Sequence, residues 1–374
     1  MDSKERLQNI IDSIRPVDKE AIEHCKKRWD KVAKPLGGLG EFEDLISRIA
    51  AINNDCVVDI TYTDEGLVNI TQKNDKVVDI TKKAVAVFAS DNGVVKRGVS
   101  QCDSSVTANI VRSLVAGTSS VCVMAKAAKA DVFVTDVGVA EDIEGVSMEK
   151  MIRSTDDICE GPAMTEETAI AAILTGAEKA KELKEKGYRL IATGEAGIGN
   201  TTTTAAVAAV LLGKNAEELA GRGAGLDDEG YRKKIEAIEL AIRVNNPDKD
   251  DPTDIIRCVG GTDIAAMAGA FLGAAAYRIP VIMDGAISAV AALCACRLNP
   301  LVREFIIPSH MSGEPVMKYI CEELDIHPVI DAGLLLGEGT GAVLMMSLLD
   351  TAVAVLNDAA IFEDINVEQY RQFR

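Results

Sequence analysis

The chain has 374 residues and a formal net charge of −18, a surface that repels phosphate backbones and anionic lipids and so argues against nucleic acid or a membrane face as partner. Hydrophobic residues make up 48% of it but aromatics only 4%, so Ala, Val, Ile, Leu and Gly must build the core, which suits helices pressed closely on a parallel sheet. Nine cysteines with no CxxC pair and only three histidines argue for free thiols in a reducing compartment and against a metal site.

The N-terminus, MDSKERLQNIIDSIRPVDKE, alternates charges through an amphipathic helix and lacks the apolar centre of a signal peptide. No uninterrupted apolar run reaches membrane-spanning length, and a soluble, cytoplasmic protein is expected. The first 50 residues read as two helices broken by Lys34-Pro35-Leu36-Gly37-Gly38-Leu39-Gly40, where Pro and three Gly cannot continue a helix.

An internal repeat follows. Val57-Val58-Asp59-Ile60-Thr61, Leu67-Val68-Asn69-Ile70-Thr71 and Val77-Val78-Asp79-Ile80-Thr81 recur every ten residues. Each is a short β-prone run, and together they predict a small antiparallel meander, read as a surface ornament.

From residue 84 short apolar strands alternate with longer helical stretches. The predicted strands are 84–89, 130–135, 188–193, 279–283, 304–307 and 328–330; the helices between and after them include 107–129, 166–186, 263–278, 287–298 and 341–356. Buried strands joined by helical crossovers make a parallel α/β sheet. The expected organisation is an N-terminal helical lobe over 1–50 joined by 340–374, an inserted meander over 51–83, and a large α/β catalytic domain over 84–339.

Ligands bind at the carboxyl ends of such strands, and nearly every predicted strand here ends in an acid, a glycine or both. Ser90-Asp91-Asn92-Gly93, Asp136-Val137-Gly138, Gly194-Glu195-Ala196-Gly197-Ile198-Gly199-Asn200, Asp284-Gly285, His310-Met311-Ser312-Gly313-Glu314 and Gly337-Glu338-Gly339-Thr340-Gly341 would meet on one edge of the sheet. At Gly197 to Thr204 two glycines and an Asn lead through four threonines into an Ala/Val helix. Free N–H groups and hydroxyls at such a start hold a phosphate, or the threonines simply cap the helix. Glu338 sits between glycines in an apolar run, where a partly desolvated carboxylate is suited to take a proton; the plainer alternative is a turn whose Glu caps the next helix. Lys233 and Lys234 offer positive charge to a phosphate or form a solvated helix face. His310, His327 and Trp29 read as structural.

Taken in order, these motifs resemble the nicotinate-nucleotide:dimethylbenzimidazole phosphoribosyltransferases. Lys34 to Gly40 is similar to that family's KPxGSLG turn. Ala89-Ser90-Asp91-Asn92-Gly93-Val94, the GIGNTTT run from Gly197, Gly221 to Asp228, Asp284-Gly285, His310 to Glu314 and the GEGTGA run from Gly337 follow it to about Phe362. The resemblance implies a Rossmann-like parallel sheet with helices on both faces, a homodimer, no cofactor, and substrates that are nicotinate mononucleotide and an aromatic base. It implies Glu338 as general base, with Glu195 near the ribose and phosphate. Gly197, Gly199, Asn200, Thr201, Lys234, Asp284, Gly285 and Ser312 would bind substrate. The chemistry suits a site without metal: nicotinate leaves from a pyridinium nitrogen, and carboxylates such as Glu195 and Asp284 stabilise an oxocarbenium-like transition state.

Some positions depart from the family pattern. The 57–81 repeat occupies an insertion of ~20 residues. Asn92 stands where the family has His, Gln101-Cys102-Asp103 where an aromatic and a proline are usual, and Asn109 where Gln is common. Asp91, Gln101 and Asn109 belong to the region expected to face the aromatic base; dimethylbenzimidazole is the default, with adenine, another benzimidazole or a phenolic base as alternatives. Two other readings compete. A nicotinamide-dependent dehydrogenase would need a glycine fingerprint after the first strand, which Ser90 to Gly93 does not supply. A non-catalytic nucleotide-binding homologue would have no use for both Glu338 and Glu195.

Overall fold

The computed structural model describes residues 2–55, 58–62, 68–72 and 77–371. In chain order the helices are α1 (Ser3–Ser13), α2 (Lys19–Lys31), α3 (Glu41–Asn53), α4 (Ser105–Val115), α5 (Ser120–Ala127), α6 (Glu166–Glu185), α7 (Asn200–Leu212), α8 (Ala216–Leu219), α9 (Asp228–Asn245), α10 (Pro252–Val259), α11 (Thr262–Ala276), α12 (Ala286–Leu298), α13 (Val316–Leu324) and α14 (Thr340–Asp358). The strands are β1 (Val58–Tyr62), β2 (Val68–Gln72), β3 (Lys83–Ser90), β4 (Ala130–Gly138), β5 (Ser147–Met148), β6 (Leu190–Ala196), β7 (Val281–Met283) and β8 (Ile306–Pro308).

Six strands form one sheet in the order β5-β4-β3-β6-β7-β8, all neighbours parallel. This is the doubly wound order, with its switch point between β3 and β6. Along β3, Ala84, Ala86 and Phe88 join the core on one face and Val85, Val87 and Ala89 the core on the other. That period-2 split of an entirely apolar run is what a strand covered on both sides requires. One face carries α1, α6, α7 and α9 to α13; the other carries α2, α4, α5, α14 and most of α3. The shortage of aromatics is explained where α6 crosses α11. A Cβ on Gly176 would lie 1.7 Å from the Ala266 carbonyl oxygen, and one on Gly269 1.8 Å from that of Ile173, so only glycine permits this backbone approach.

Several elements differ from the sequence expectation, each for a local reason. The N-terminal segment before Lys34 is two helices, because the chain turns at Pro16 and Asp18 caps α2 by accepting from Glu20 and Ala21 N–H at 2.8 and 3.3 Å. The expected helix over 107–129 breaks at Gly117 (φ +70°), and Ser119 starts α5 by accepting from Cys122 N–H at 3.3 Å. The 304–307 strand begins two residues late, after a 3₁₀ turn over Pro300–Phe305. The 328–330 strand reduces to one bridge between His310 and Ile330.

Of the repeat, β1 and β2 pair antiparallel from Val58↔Gln72 to Tyr62↔Val68; Val57 and Leu67 lie outside the described residues. The third copy is not a strand. The Asn357 side chain of α14 accepts from Val77 and Val78 N–H at 3.0 and 3.1 Å and donates to the Val78 carbonyl at 2.8 Å. A side-chain amide thus supplies the partners that a neighbouring strand would have given.

Ser105–Ala127 and Thr340–Asp358 are long and apolar enough to cross a bilayer by length and composition, although Gly, polar and charged residues interrupt both, as expected from the sequence. The first is broken at Gly117. The second, α14, puts Met345, Met346, Leu349 and Leu356 into the core beside α3, α5 and β6.

Candidate active site

The loops after β6, β7 and β8 and the turn before α14 enclose a cavity of about 250 Å³. Its walls include Glu195, Gly197, Asn200, Thr201, Asp284, Gly285, His310, Ser312 and Glu338. The cavity lies beside the switch point, not in it. A Cβ on Gly197 would stand 2.4 Å from the Ser90 carbonyl, so the β3 and β6 loops touch and close the crevice. Beneath them Ser90 and Thr262 hydroxyls meet at 2.6 Å. The opening is displaced one strand along, over β6 to β8.

Glu338 has φ +63°, the left-handed region, and is followed by Gly339 at φ +93°. A non-glycine residue there stores strain of about 1–3 kcal/mol, which surrounding contacts must enforce. Those contacts are visible. The Glu338 N–H donates to Glu195 Oε1 at 3.4 Å, and its Oε2 accepts from Val121 N–H at 3.3 Å, in the first turn of α5. A Cβ on Gly337 would be 2.1 Å from Glu195 Oε1, and one on Gly194 2.4 Å from the Glu338 carbonyl oxygen, so both glycines let this turn lie directly on β6. Glu338 is left half-buried at the cavity wall.

Glu195 is buried. Its Oε2 accepts from Asn200 Nδ2 at 2.5 Å, and the same nitrogen reaches Asp263 Oδ2 at 3.2 Å. Burial pushes the Glu195 carboxyl up to about 7, helped by the charges of Asp263 and Asp284 and opposed by the Asn200 hydrogen bond. Burial likewise raises Asp263 to about 6, against the Ile264 N–H and Asn200.

Asp284 is also buried and raised by that burial, against the pull of His310 and of backbone N–H groups. Its Oδ2 accepts from Gly339 N–H at 3.2 Å and its Oδ1 from Ala342 N–H at 2.9 Å, so it holds the start of α14. His310 Nδ1 lies 4.0 Å from Asp284 Oδ1 and 3.0 Å from Ser309 Oγ. Burial lowers the imidazole's proton affinity, against the attraction of Asp284.

At the other end, Gly199 (φ +90°) starts α7, which points its first turn, with Asn200 and Thr201, at the cavity. Lys234 is fully buried and reaches the wall through Thr201. Its Nζ donates to Thr201 Oγ1 and to the Gly221 carbonyl, both at 2.9 Å, and burial pushes it down to about 8, against the attraction of Glu314. Glu314 also lines the cavity and accepts from Gly223 N–H at 3.0 Å.

The residues singled out in the sequence therefore divide. Glu338, Glu195, Gly197, Asn200, Thr201, Asp284, Gly285 and Ser312 share the cavity; Gly199 and Lys234 stand behind it. Asp91 is sealed at the end of β3, where its Oδ2 accepts from Ala140 N–H at 2.8 Å. Gln101 donates to the Gly225 carbonyl. Asn109 is exposed and accepts from Arg112 at 2.9 Å, while its neighbour Ile110 lines the cavity. Sequence reasoning passed over Ile110, Glu314 and Asp263, and gave His310 only a structural role. Glu314 closed a motif already singled out, and Asp263 began an Ala-rich helix where an acid near the first turn reads as helix charge.

This geometry has close parallels. Residues 14–367 match the model of a family described as phosphoribosyltransferase. A nicotinate-nucleotide–dimethylbenzimidazole phosphoribosyltransferase of Clostridium acetobutylicum is 42% identical over 370 residues, covering 98% of this chain and 99% of that protein. One from Ruminiclostridium cellulolyticum is 43% identical over 367 residues, with 98% and 99% covered. The crystal structure of CobT from Thermus thermophilus superposes with a TM-score of 0.82 at 34% identity, covering 94% of this chain and all of that one. Whole-length identity of this order, together with a shared fold, leaves one assignment: the chain belongs to the nicotinate-nucleotide–dimethylbenzimidazole phosphoribosyltransferase family.

Proposed function

We propose that the protein moves the 5-phosphoribosyl group of nicotinate mononucleotide onto a ring nitrogen of 5,6-dimethylbenzimidazole, giving α-ribazole 5′-phosphate and nicotinate for the lower ligand of a cobamide. One observation carries this reading: two carboxyl groups, Glu338 and Glu195, and the N-terminus of α7 share one cavity.

Glu338 takes the proton from one nitrogen of the base as the other attacks C1′ of the ribose. The C1′–nitrogen bond to nicotinate breaks, and its electron pair neutralises the pyridinium. Attack opposite the leaving group inverts C1′ and gives the α-linkage. Glu195 stabilises positive charge developing on the ribose, and an arriving pyridinium itself favours the ionised form of this carboxyl. Asn200, Thr201 and the first turn of α7 cradle the phosphate, with Lys234 holding Thr201 in place. Ile110, Ile287, Leu335 and Leu336 give the cavity an apolar side suited to a flat base.

The protein acts as a homodimer in this reading. Val123, Leu344 and Leu348 are exposed on the adjoining helices α5 and α14, and Leu335 and Leu336 stand open at the cavity, apolar surface of the kind that a second copy covers. Cys102, Cys122, Cys159, Cys258, Cys294, Cys296 and Cys321 are free thiols, all but Cys102 buried, which favours a cytoplasmic setting.

The test is incubation of the protein with nicotinate mononucleotide and equal dimethylbenzimidazole, adenine and p-cresol, followed by chromatographic identification of the nucleotide formed. α-Ribazole 5′-phosphate as main product supports the reading. The adenine or phenolic product would reassign the base, and no turnover with any base would mark a non-catalytic homologue.

A further inference from the structure

A second cavity, about 520 Å³, lies beside β8, the edge strand, between that strand and helices α2 and α3. It shares no lining residue with the active-site cavity. Its volume falls in the range of small-molecule pockets.

One wall is apolar, built by Val17, Ile22, Leu45 and Ile326. Arg48 of α3 stands in the other. Its Nε is sealed from solvent and has no acceptor among the described residues. Burial, then the like charge of Arg303, pushes the guanidinium down to about 10, against the attraction of Asp44 and Glu304. Of the four acids lining the cavity, all but Glu41 are engaged elsewhere. Asp325 takes Arg303 at 2.6 Å, Glu304 accepts from Val17 N–H at 2.6 Å, and Asp44 pairs with Lys26 at 2.8 Å. Arg48 as a whole is half-buried, but a guanidinium nitrogen sealed without an acceptor costs free energy that a ligand can recover.

We propose that this cavity is a second ligand site, in which Arg48 receives a small organic monocarboxylate whose apolar body rests on Leu45 and Ile326. The planar fork of a guanidinium matches a carboxylate through two parallel hydrogen bonds. A single negative charge is favoured over a phosphate dianion because Asp44 and Glu304 stand close enough to act on Arg48. The site is independent of the transfer reaction.

The experiment titrates benzoate, and separately inorganic phosphate, into the full-length wild type and Arg48→Met by calorimetry, with thermal melting alongside. Expected is saturable benzoate binding to the wild type, weakened at least ~10-fold in the variant, with phosphoribosyl transfer at wild-type rate in both. The ligand-free variant should melt no lower than the wild type, since it loses a sealed N–H that lacks an acceptor. Arg48→Lys, which keeps the charge and loses the fork, should bind at intermediate strength and serves if the methionine variant does not fold. No saturable binding of benzoate up to about 10 mM, equal binding by wild type and variants, or binding of phosphate in preference to benzoate would each overturn the proposal.

Discussion

The carboxylate of Asp284 accepts the N–H of Gly339 at 3.2 Å, the residue directly after Glu338. Together with its bond to Ala342 N–H, this fixes the strained turn that presents the general base. Asp284→Asn keeps one acceptor and turns an amide N–H₂ toward a backbone donor. The variant should lose about 1–2 kcal/mol in denaturant unfolding, and kcat should fall more than nucleotide affinity. Unchanged stability with unchanged kcat would remove Asp284 from this role.

Glu195, raised from 4.5 to about 7, makes a prediction about pH. The folded state keeps a proton that the unfolded chain has already released, so stability falls as pH rises from about 5 to 7. Relative to the wild type, Glu195→Gln should gain unfolding free energy across that window, on the order of 1–3 kcal/mol. The groups facing Glu195 are Asp263, Asp284, the Asn200 amide and the Glu338 N–H. Since the ionised form serves the reaction, kcat/KM should climb with pH toward about 7. Asp263→Asn removes a charge that holds Glu195 up and should shift that limb to lower pH. A limb unmoved by Asp263→Asn would show that Glu195 is not the titrating group.

Glu338→Gln retains an acceptor for Val121 N–H but cannot take a proton. Turnover should drop by a factor of roughly 10²–10⁴ with nucleotide binding kept, as single-turnover rates and calorimetry would report. Wild-type turnover would assign the base elsewhere.

Lys234→Met fills the same buried space and breaks the tie between Thr201 and Gly221. KM for nicotinate mononucleotide should rise about 10-fold or more, with a smaller change in kcat. A variant with normal nucleotide KM and impaired base use would place Lys234 at the wrong end of the cavity.

The parallel sheet was legible because two of its apolar runs, at Ala84 and Ile279, are continuous, two more, at Ala130 and Tyr188, are broken only by Asp131 and Arg189 at their starts, and all four are bounded by polar or glycine-bearing turns. The glycine-and-acid pattern at strand ends likewise pointed to one edge of the sheet. The break at Gly117 was less visible, since Gly-Thr-Ser-Ser inside an apolar helical pattern is a weak stop. It matters, because it creates the first turn of α5, whose Val121 N–H receives Glu338. The third repeat copy looked like its siblings and became coil where Asn357, some 280 residues away, and Asp55 bond its backbone.

By itself, then, the order of residues determined periodicity, turn chemistry and family, and it marked Glu338 and Glu195 as the acids to watch. Tertiary structure decided which strand-end residues meet. The contact of Gly197 with Ser90 sealed Asp91 below the surface and left the opening over β6 to β8. The physical reason is that an acid's solvation and proton affinity depend on groups delivered by distant crossovers. Asp263 and Asn200, 63 residues apart, set the state of Glu195 only once the sheet has assembled.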